Sequence, residues 1–275
     1  MKKLLILLLL ISTYLPAQLH VAVSILPQQT FLQAIAGDKV NITLMVKPGN
    51  SPHTYEPKPS QMISIAKADL YLSMDVEFEH VWLPKFKNLN KKMAVYSLTT
   101  NILKMPIGND HHANHLDPHV WTSPHNVKII VQNIYHILIT LDPKNQNYYQ
   151  QNLIHFLAHI KQTDQEIKRI LLSLNNNRSF MVFHPSWGYY AKEYNLTQIA
   201  VEVSGKNPKP REIVSLIKKA KKAQVSAIFT QPEFSDSSAK IIAKELKIPV
   251  VKVSPMAINW AENLLSITKS IAGIK

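Results

Sequence analysis

The chain has 275 residues, of which 46% are hydrophobic, and it contains 12 histidines and no cysteine. This share of apolar residues is enough for a packed core and excludes a chain that is disordered throughout. The absence of cysteine excludes disulfides, thiolate metal sites, cysteine nucleophiles and a lipid anchor on cysteine. Metal chemistry in this chain would therefore rely on histidine and carboxylate ligands.

The charge of the chain is strongly positive. Lysine and arginine total 31 against 18 aspartates and glutamates, which gives a formal net charge of +13. Only Arg169, Arg178 and Arg211 are arginines, whereas proteins that read nucleic-acid sequence rely on the planar guanidinium to pair with guanine and phosphate. The charge therefore indicates a solvated, lysine-rich surface, and we expect no nucleic-acid partner.

The first residues have the pattern of a targeting segment. Lys2 and Lys3 precede an unbroken apolar run over residues 4–11, which is too short for a settled transmembrane helix. With a small residue, Ala17, at the end of the segment, the pattern predicts a signal peptide over residues 1–18. A retained membrane anchor is the alternative. Because no cysteine follows, we expect an exported, soluble protein of the periplasm that carries no lipid.

Two stretches of the chain alternate between strand and helix patterns, and they predict an N-terminal lobe over residues 19–141 and a C-terminal lobe over residues 176–275. In the first, strands are predicted at 21–26, 41–46, 70–74 and 95–98, and helices at 28–36 and 60–67. In the second, strands are predicted at 179–184, 197–203, 227–230 and 250–253, and helices at 186–194, 211–222, 237–246 and 260–272. Helices between consecutive strands imply parallel sheets.

The middle of the chain is helical in pattern and is interrupted at Asp142-Pro143, where Asp142 can cap a new helix. Residues 144–174 contain no glycine or proline, and as one helix they would span roughly 45 Å. We therefore predict a connecting helix over residues 142–175. The predicted fold class is α/β, with two lobes, each a mostly parallel sheet flanked by helices, joined by one long connecting helix.

Three histidines fall where ligands bind in such folds. His53 lies in a proline-rich loop directly after a predicted strand, His119 lies just before a helix, and His184 ends a strand. In open parallel sheets, ligands bind outside the carboxyl ends of the strands, so His53 and His184 can reach a cleft between the lobes from opposite sides. The pattern predicts a metal site, and surface or hydrogen-bonded histidines are the alternative.

Other histidines give weaker signals. The tract containing His111, His112 and His115 suggests metal binding by composition, so we consider a weaker second site there, with a plain polar loop as the alternative. His155 and His159 are four residues apart on one helix face. No metalloprotease pattern accompanies them, and we interpret them as solvated.

At the three histidine loops the sequence resembles the metal-binding receptors of bacterial ABC importers, the cluster A-I (ZnuA/TroA-like) family. Three segments carry the resemblance: Pro48-Gly49-x-x-Pro52-His53-x-Tyr55-Glu56-Pro57, Asp117-Pro118-His119-x-Trp121 and Phe183-His184-x-x-Trp187-Gly188-Tyr189. Family members are similar two-lobed proteins that bind one divalent metal between the lobes and hand it to a membrane permease. The resemblance covers essentially the whole mature chain.

The resemblance implies a ligand set and a metal. A histidine at the third position, His184, is similar to the zinc branch, whereas manganese and iron members tend to place a glutamate there. Ser254 stands where many members have an aspartate ligand. The fourth position is therefore expected to hold water or a nearby carboxylate, for which Glu233 is the candidate.

The function predicted from these residues is a high-affinity zinc-binding receptor, expected to be a monomer, that captures Zn²⁺ in the periplasm and delivers it to an ABC permease. His53, His119 and His184 are the predicted ligands, and Asp117 and Glu56 are candidate acceptors that orient their rings. The aromatic residues Trp121, Trp187 and Tyr189 are expected to exclude solvent from the metal or to be plain core residues.

Three other functions remain open on the sequence alone. One is a manganese or iron receptor of the same family. Another is a secreted zinc hydrolase, because three histidines and an open position also build catalytic zinc sites. The chain shows no hydrolase motif for the general base such an enzyme needs, and we predict that it is not an enzyme. The last is an extracellular adhesin or storage protein.

Overall fold

The structure is a computed structural model, and it describes residues 18–107, 116–174, 178–203 and 206–274. The predicted signal peptide and the tract around His111–His115 lie outside these residues, except for Gln18. Within the described part of the chain, no helix is both long enough and apolar enough to cross a membrane.

The N-terminal lobe is a four-stranded parallel sheet in the order β2-β1-β3-β4. Its strands are β1 (Leu19–Val23), β2 (Val40–Leu44), β3 (Leu70–Ser73) and β4 (Ala94–Ser97), and its helices are α1 (Leu26–Ala36), α2 (Pro59–Lys67) and α3 (Glu77–Leu89). The strands are short and largely apolar because both faces of a parallel sheet are covered. All four strands end at the same edge, where the loop that carries His53 begins.

The C-terminal lobe repeats this architecture with a second parallel sheet, in the order β6-β5-β7-β8. Its strands are β5 (Ser179–Val182), β6 (Thr197–Ala200), β7 (Ile228–Thr230) and β8 (Val250–Lys252), and its helices are α6 (Gly188–Glu193), α7 (Pro210–Lys222), α8 (Ser237–Leu246) and α9 (Trp260–Ile271). The predicted fold class is confirmed.

Two helices lie between the sheets, α4 (Pro124–Leu141) and α5 (Gln146–Leu171). The chain turns at Asp142, whose carboxylate accepts hydrogen bonds from Asn145 and from the Tyr149 hydroxyl, both at 2.6 Å. The 26 residues of α5 correspond to about 39 Å of helix. α5 packs against α1, α4 and α9, so it contacts both lobes.

α5 packs closely against the end of α1 in the N-terminal lobe. Gly37 ends α1 with a φ of +54°, and a Cβ at this position would stand 2.0 Å from the Tyr148 hydroxyl on α5. Glycine is therefore required at this position for two reasons: it tolerates the positive φ, and it leaves room for the Tyr148 side chain of α5.

The lobes share one continuous hydrophobic core that runs from β1 through α4 and α5 to α9. Polar contacts also join them: the Trp121 indole donates to the Pro255 carbonyl at 2.8 Å, and the Trp260 indole donates to the Trp121 carbonyl at 2.8 Å. The lobes are thus held together by packing and by hydrogen bonds on either side of Trp121.

One helix was not expected from the sequence. α3 covers Glu77–Leu89 and contains Pro84 within its span, in a stretch where the apolar pattern predicted no element. A proline removes a backbone donor and usually ends a helix. Here the helix is retained because its buried side, Phe78, Glu79 and Phe86, packs onto the sheet. α3 matters for function because its first residue reaches the histidine cleft.

Candidate metal centre

The three predicted histidines meet in the cleft between the lobes. His53 lies in the loop after β2, His119 lies in the turn before α4, and His184 lies two residues beyond the end of β5. The ring centres of His53 and His184 are 5.4 Å apart, and those of His119 and His184 are 5.3 Å apart. His184 is therefore the middle member, and it faces two histidines of the opposite lobe.

The rings face one small cavity with a volume of about 30 Å³, which is enough for an ion or one or two waters. Both lobes line it, the N-terminal lobe mainly through the His53 loop and the start of α3, and the C-terminal lobe through the ends of β5, β7 and β8. Its lining residues are Ser51, Pro52, His53, Val76, Glu77, Pro118, His119, Trp121, His184, Ser186, Gln231, Glu233, Phe234, Pro255 and Met256.

His184 is nearly buried and is fixed on several sides. Its Nδ1 lies 2.9 Å from the Glu202 carboxylate, which is buried with it. Its ring stacks on Phe234 with centres 4.9 Å apart and planes 26° apart. Its Nε2 is buried and has no hydrogen-bond partner among the described residues. Such an unpaired buried nitrogen costs free energy, and a metal ion would satisfy it.

His119 is fixed by a residue two positions earlier. One Asp117 oxygen accepts from the His119 backbone amide at 2.9 Å and lies 2.7 Å from the His119 Nδ1. The predicted orienting role of Asp117 agrees with this geometry. The opposite lobe holds the Asp117 backbone, because the Tyr189 hydroxyl donates to the Asp117 carbonyl at 2.9 Å.

His53 is the most exposed of the three, and its Nδ1 contacts the carboxylate of Glu77, the first residue of α3. The sequence pointed to Glu56 for this role, and the structure corrects it: Glu77 is the acceptor, while Glu56 lies on the exposed side of the loop. The error follows from the missed helix α3.

The carboxylates and the burial shift the ionisation of the site. The hydrogen bond to Glu77 raises the pKa of His53 above its usual value, against the opposing effect of burial. Burial is the largest influence on the pKa of Glu77 and pushes it upward, but the hydrogen bond from His53 and the charge interactions with the three histidines together leave that pKa lowered. Burial lowers the pKa of His184, although the hydrogen bond to Glu202 acts in the other direction. Neutral imidazole at His184 is thus favoured, as metal binding requires.

The three imidazoles share one arrangement. A carboxylate can only accept a hydrogen bond, so these contacts favour a hydrogen on each Nδ1, and a neutral ring of this kind has its lone pair on Nε2. Metal-ligating histidines are generally held in this way by an outer carboxylate. Within the described residues, no three His, Asp or Glu side chains already stand at the spacing of a closed coordination shell, so a bound ion would draw the rings together.

The remaining predicted residues divide between the cavity and its surroundings. Glu233 lines the cavity and accepts a hydrogen bond of 3.1 Å from the Ser254 hydroxyl. Ser254, at the position where the resemblance implies an aspartate ligand, thus holds a carboxylate from the neighbouring loop. Trp121 lines the cavity, whereas Trp187 and Tyr189 are buried core residues beside it.

The other histidines considered lie elsewhere. His155 and His159 are exposed on α5, as the solvated interpretation expected. The possible second site at His111–His115 falls outside the described residues.

Two α/β lobes, a long helix that contacts both of them, and histidines from both lobes around one cleft agree with the two-lobed architecture that the resemblance implies. Residues 21–272 match the family described as ZnuA, zinc-uptake complex component A, periplasmic. The chain belongs to this family, and the resemblance inferred from the three histidine loops is confirmed.

Individual relatives agree with the fold. A crystal structure of ZnuA is 38% identical, with a TM-score of 0.88 over 94% of this chain and 99% of that one. The zinc-binding protein AdcA of Streptococcus pyogenes serotype M3 is 28% identical over 93% of this chain but only 56% of AdcA, so the chain spans little more than half of that relative. The manganese ABC transporter substrate-binding lipoprotein PsaA of Streptococcus pneumoniae is also 28% identical, over 78% of this chain and 73% of PsaA.

Proposed function

We propose that this chain is a high-affinity receptor for Zn²⁺ that delivers the ion to the permease of an ABC importer. The observation that supports this most directly is the set of three imidazoles, His53, His119 and His184, each with Nδ1 on a carboxylate and all around one cavity. This arrangement leaves three Nε2 lone pairs for a single ion, one of them buried without a partner.

The proposed metal is zinc rather than manganese or iron. Overall identity does not discriminate between AdcA and PsaA, which are both 28% identical to this chain. The donor set does, since three imidazole nitrogens suit Zn²⁺, while Mn²⁺ favours more oxygen ligands. For the fourth position we propose Glu233 or a water, because the Glu233 carboxylate lines the cavity opposite the N-terminal lobe.

The receptor works as a monomer in the periplasm and binds one ion in the cleft. It has no nucleic-acid partner and catalyses no reaction, and because the sequence contains no cysteine, it carries no lipid on cysteine. Release to the permease proceeds through small shifts of the His53 loop. His53 is the exposed ligand, whereas His119 and His184 are buried, so His53 is the first that solvent or a partner can reach.

The test is isothermal titration of the metal-free protein with Zn²⁺ and Mn²⁺ against a competing chelator. We expect one Zn²⁺ per chain, weaker Mn²⁺ binding, and for His184→Ala a loss larger than the roughly 10–100-fold cost of removing an outer-sphere partner. His159→Ala, an exposed histidine on α5, is the matched control and keeps the parent affinity. Tighter binding of Mn²⁺, or an unchanged His184→Ala variant, overturns the zinc assignment; ester or peptide turnover by the zinc form overturns the non-enzymatic one.

A further inference from the structure

Glu202 is a buried carboxylate behind the middle histidine of the cleft. It lies two residues beyond β6, whose parallel partner β5 leads to His184, and it meets the His184 Nδ1 at 2.9 Å. The side chains of both residues are 8% exposed. No lysine or arginine of the described segments forms an ion pair with Glu202, so the His184 ring is the hydrogen-bond partner of its carboxylate there.

The position and orientation of the His184 ring are fixed, and its tautomer, that is, which nitrogen carries the hydrogen, is what remains to be determined. The backbone is held by Gln231, which accepts from the His184 amide and donates to its carbonyl at 2.8 Å. The ring plane is held by the stack on Phe234. The remaining contact, to Glu202, is with a group that can only accept, so it requires the hydrogen on Nδ1 and leaves the lone pair on Nε2, which faces the cavity.

We propose that Glu202 is the positioning residue that holds His184 as the Nδ1–H tautomer and thereby presents Nε2 to the metal ion. The proposal rests on the proposed metal-receptor function. It concerns how this chain prepares its middle ligand, and it places Glu202 outside the coordination shell itself.

If Glu202 had only a structural role, its replacement should lower the stability of the fold. The positioning role carries no such expectation, because burying a carboxylate is costly and replacing it by a neutral group of the same shape is often neutral or stabilising. Glu202→Gln keeps the shape and can still hydrogen-bond to the ring, but its amide NH₂ can donate to Nδ1 and so favour the Nε2–H tautomer, which has no lone pair on the nitrogen that faces the cavity. The positioning role therefore predicts weaker metal binding without loss of folding stability.

The experiment compares the parent, Glu202→Gln and the control Glu193→Gln. Glu193 is a partly buried carboxylate of the same lobe that bonds to Ser123 and to the His125 amide, away from the cavity. Each protein is measured by chelator-competition zinc titration, by thermal unfolding of the metal-free form, and by ¹H–¹⁵N correlation spectra that assign the tautomer of His184. The spectra of the metal-free parent test the proposal even if a variant fails to fold.

We expect the parent to show the Nδ1–H tautomer, and Glu202→Gln to bind zinc 10–100-fold more weakly with a shifted tautomer and an unchanged or higher unfolding temperature. Glu193→Gln should bind like the parent. An Nε2–H tautomer in the parent, or parent-like zinc binding by Glu202→Gln, overturns the proposal. So does a variant whose affinity and stability fall together with its tautomer unchanged. A parent that binds no zinc refutes the proposed function instead, and the two failures are thus distinguishable.

Discussion

The buried carboxyl of Glu79 makes a sharp prediction about stability and pH. Glu79 lies on α3, is 3% exposed, and accepts hydrogen bonds from the Met74 amide at 2.9 and 3.0 Å and from the Ser24 hydroxyl. Burial is the main cause that raises the pKa of Glu79 from 4.5 to about 7, against the hydrogen bonds that lower it. The folded protein therefore keeps this proton where the unfolded chain has lost it.

The sign and size of the effect follow by linkage. Below pH 4.5 the carboxyl is protonated in both states and costs nothing. Between pH 4.5 and about 7 the unfolded chain has released this proton while the folded protein still holds it, so the free energy of unfolding falls as the pH rises through this range and levels off above it. Each pKa unit corresponds to 1.36 kcal/mol, so this shift lowers the free energy of unfolding by about 3 kcal/mol once the pH is well above 7. No cation of the described residues forms an ion pair with Glu79 to offset the charge.

Glu79→Gln should remove this pH dependence. The amide oxygen can still accept from Met74, and the amide NH₂ can donate to the Ser24 hydroxyl, as a protonated carboxyl does. We expect the variant to be within about 1 kcal/mol of the parent near pH 5 and to be more stable than it by about 3 kcal/mol near pH 8.5. Urea unfolding of both metal-free proteins at the two pH values measures the difference, in which other titrating groups cancel.

Two results would refute this reasoning. If the stability difference between Glu79→Gln and the parent is the same at both pH values, the carboxyl does not titrate in this range. If the variant is less stable than the parent at pH 8.5, the charged form is stabilised by its hydrogen bonds more than burial destabilises it. Glu245→Gln, an exposed carboxylate on α8, should show no pH-dependent difference.

Three further predictions follow from contacts around the site. Gly188→Ala should weaken zinc binding and lower the unfolding temperature, because its Cβ would stand 2.8 Å from an Asp117 carboxylate oxygen; unaltered titration and melting curves would contradict this. Zinc affinity should fall as the pH drops, beginning above the usual range of histidine because the pKa of His53 is raised, and a Glu77→Gln variant should shift that fall to lower pH in titrations across pH 5–8. Asp142→Ala should lower the free energy of unfolding by about 1–3 kcal/mol, because it removes the acceptor of the hydrogen bonds from Asn145 and Tyr149 at the turn between α4 and α5. Urea unfolding measures this loss.

The sequence was informative where function depends on strand ends. His53 and His184 could be predicted as neighbours because the ends of parallel strands are known ligand positions, and the two sheets follow from the alternation of elements. The sequence-based strand boundaries were less accurate: β5 and β6 end at Val182 and Ala200, two and three residues before the predicted ends. Placing Glu202 inside a strand concealed that it lies in a loop beside His184.

The two missed acceptors differ in how they could have been found. Glu202 follows the strand that pairs with the one leading to His184, so the shared sheet edge was a usable signal once the strand order is known. Glu77 gave no such signal, because α3 contains a proline and its apolar pattern is weak. Its proximity to His53 arises from tertiary packing of α3 on the sheet, which short-range patterns do not encode.

Without a metal ion the cleft contains a buried polar atom that lacks a hydrogen-bond partner, and this affects the expected affinity for an ion. His184 holds a buried Nε2 without a partner among the described residues, which costs about 1–3 kcal/mol. A cation bound in the cleft would remove this cost, because it would take the Nε2 lone pair. For the proposed receptor, relief of this unpaired nitrogen would contribute to the free energy of zinc binding. Because an ion that binds only the folded state stabilises it by mass action, we expect zinc to raise the unfolding temperature of the metal-free protein.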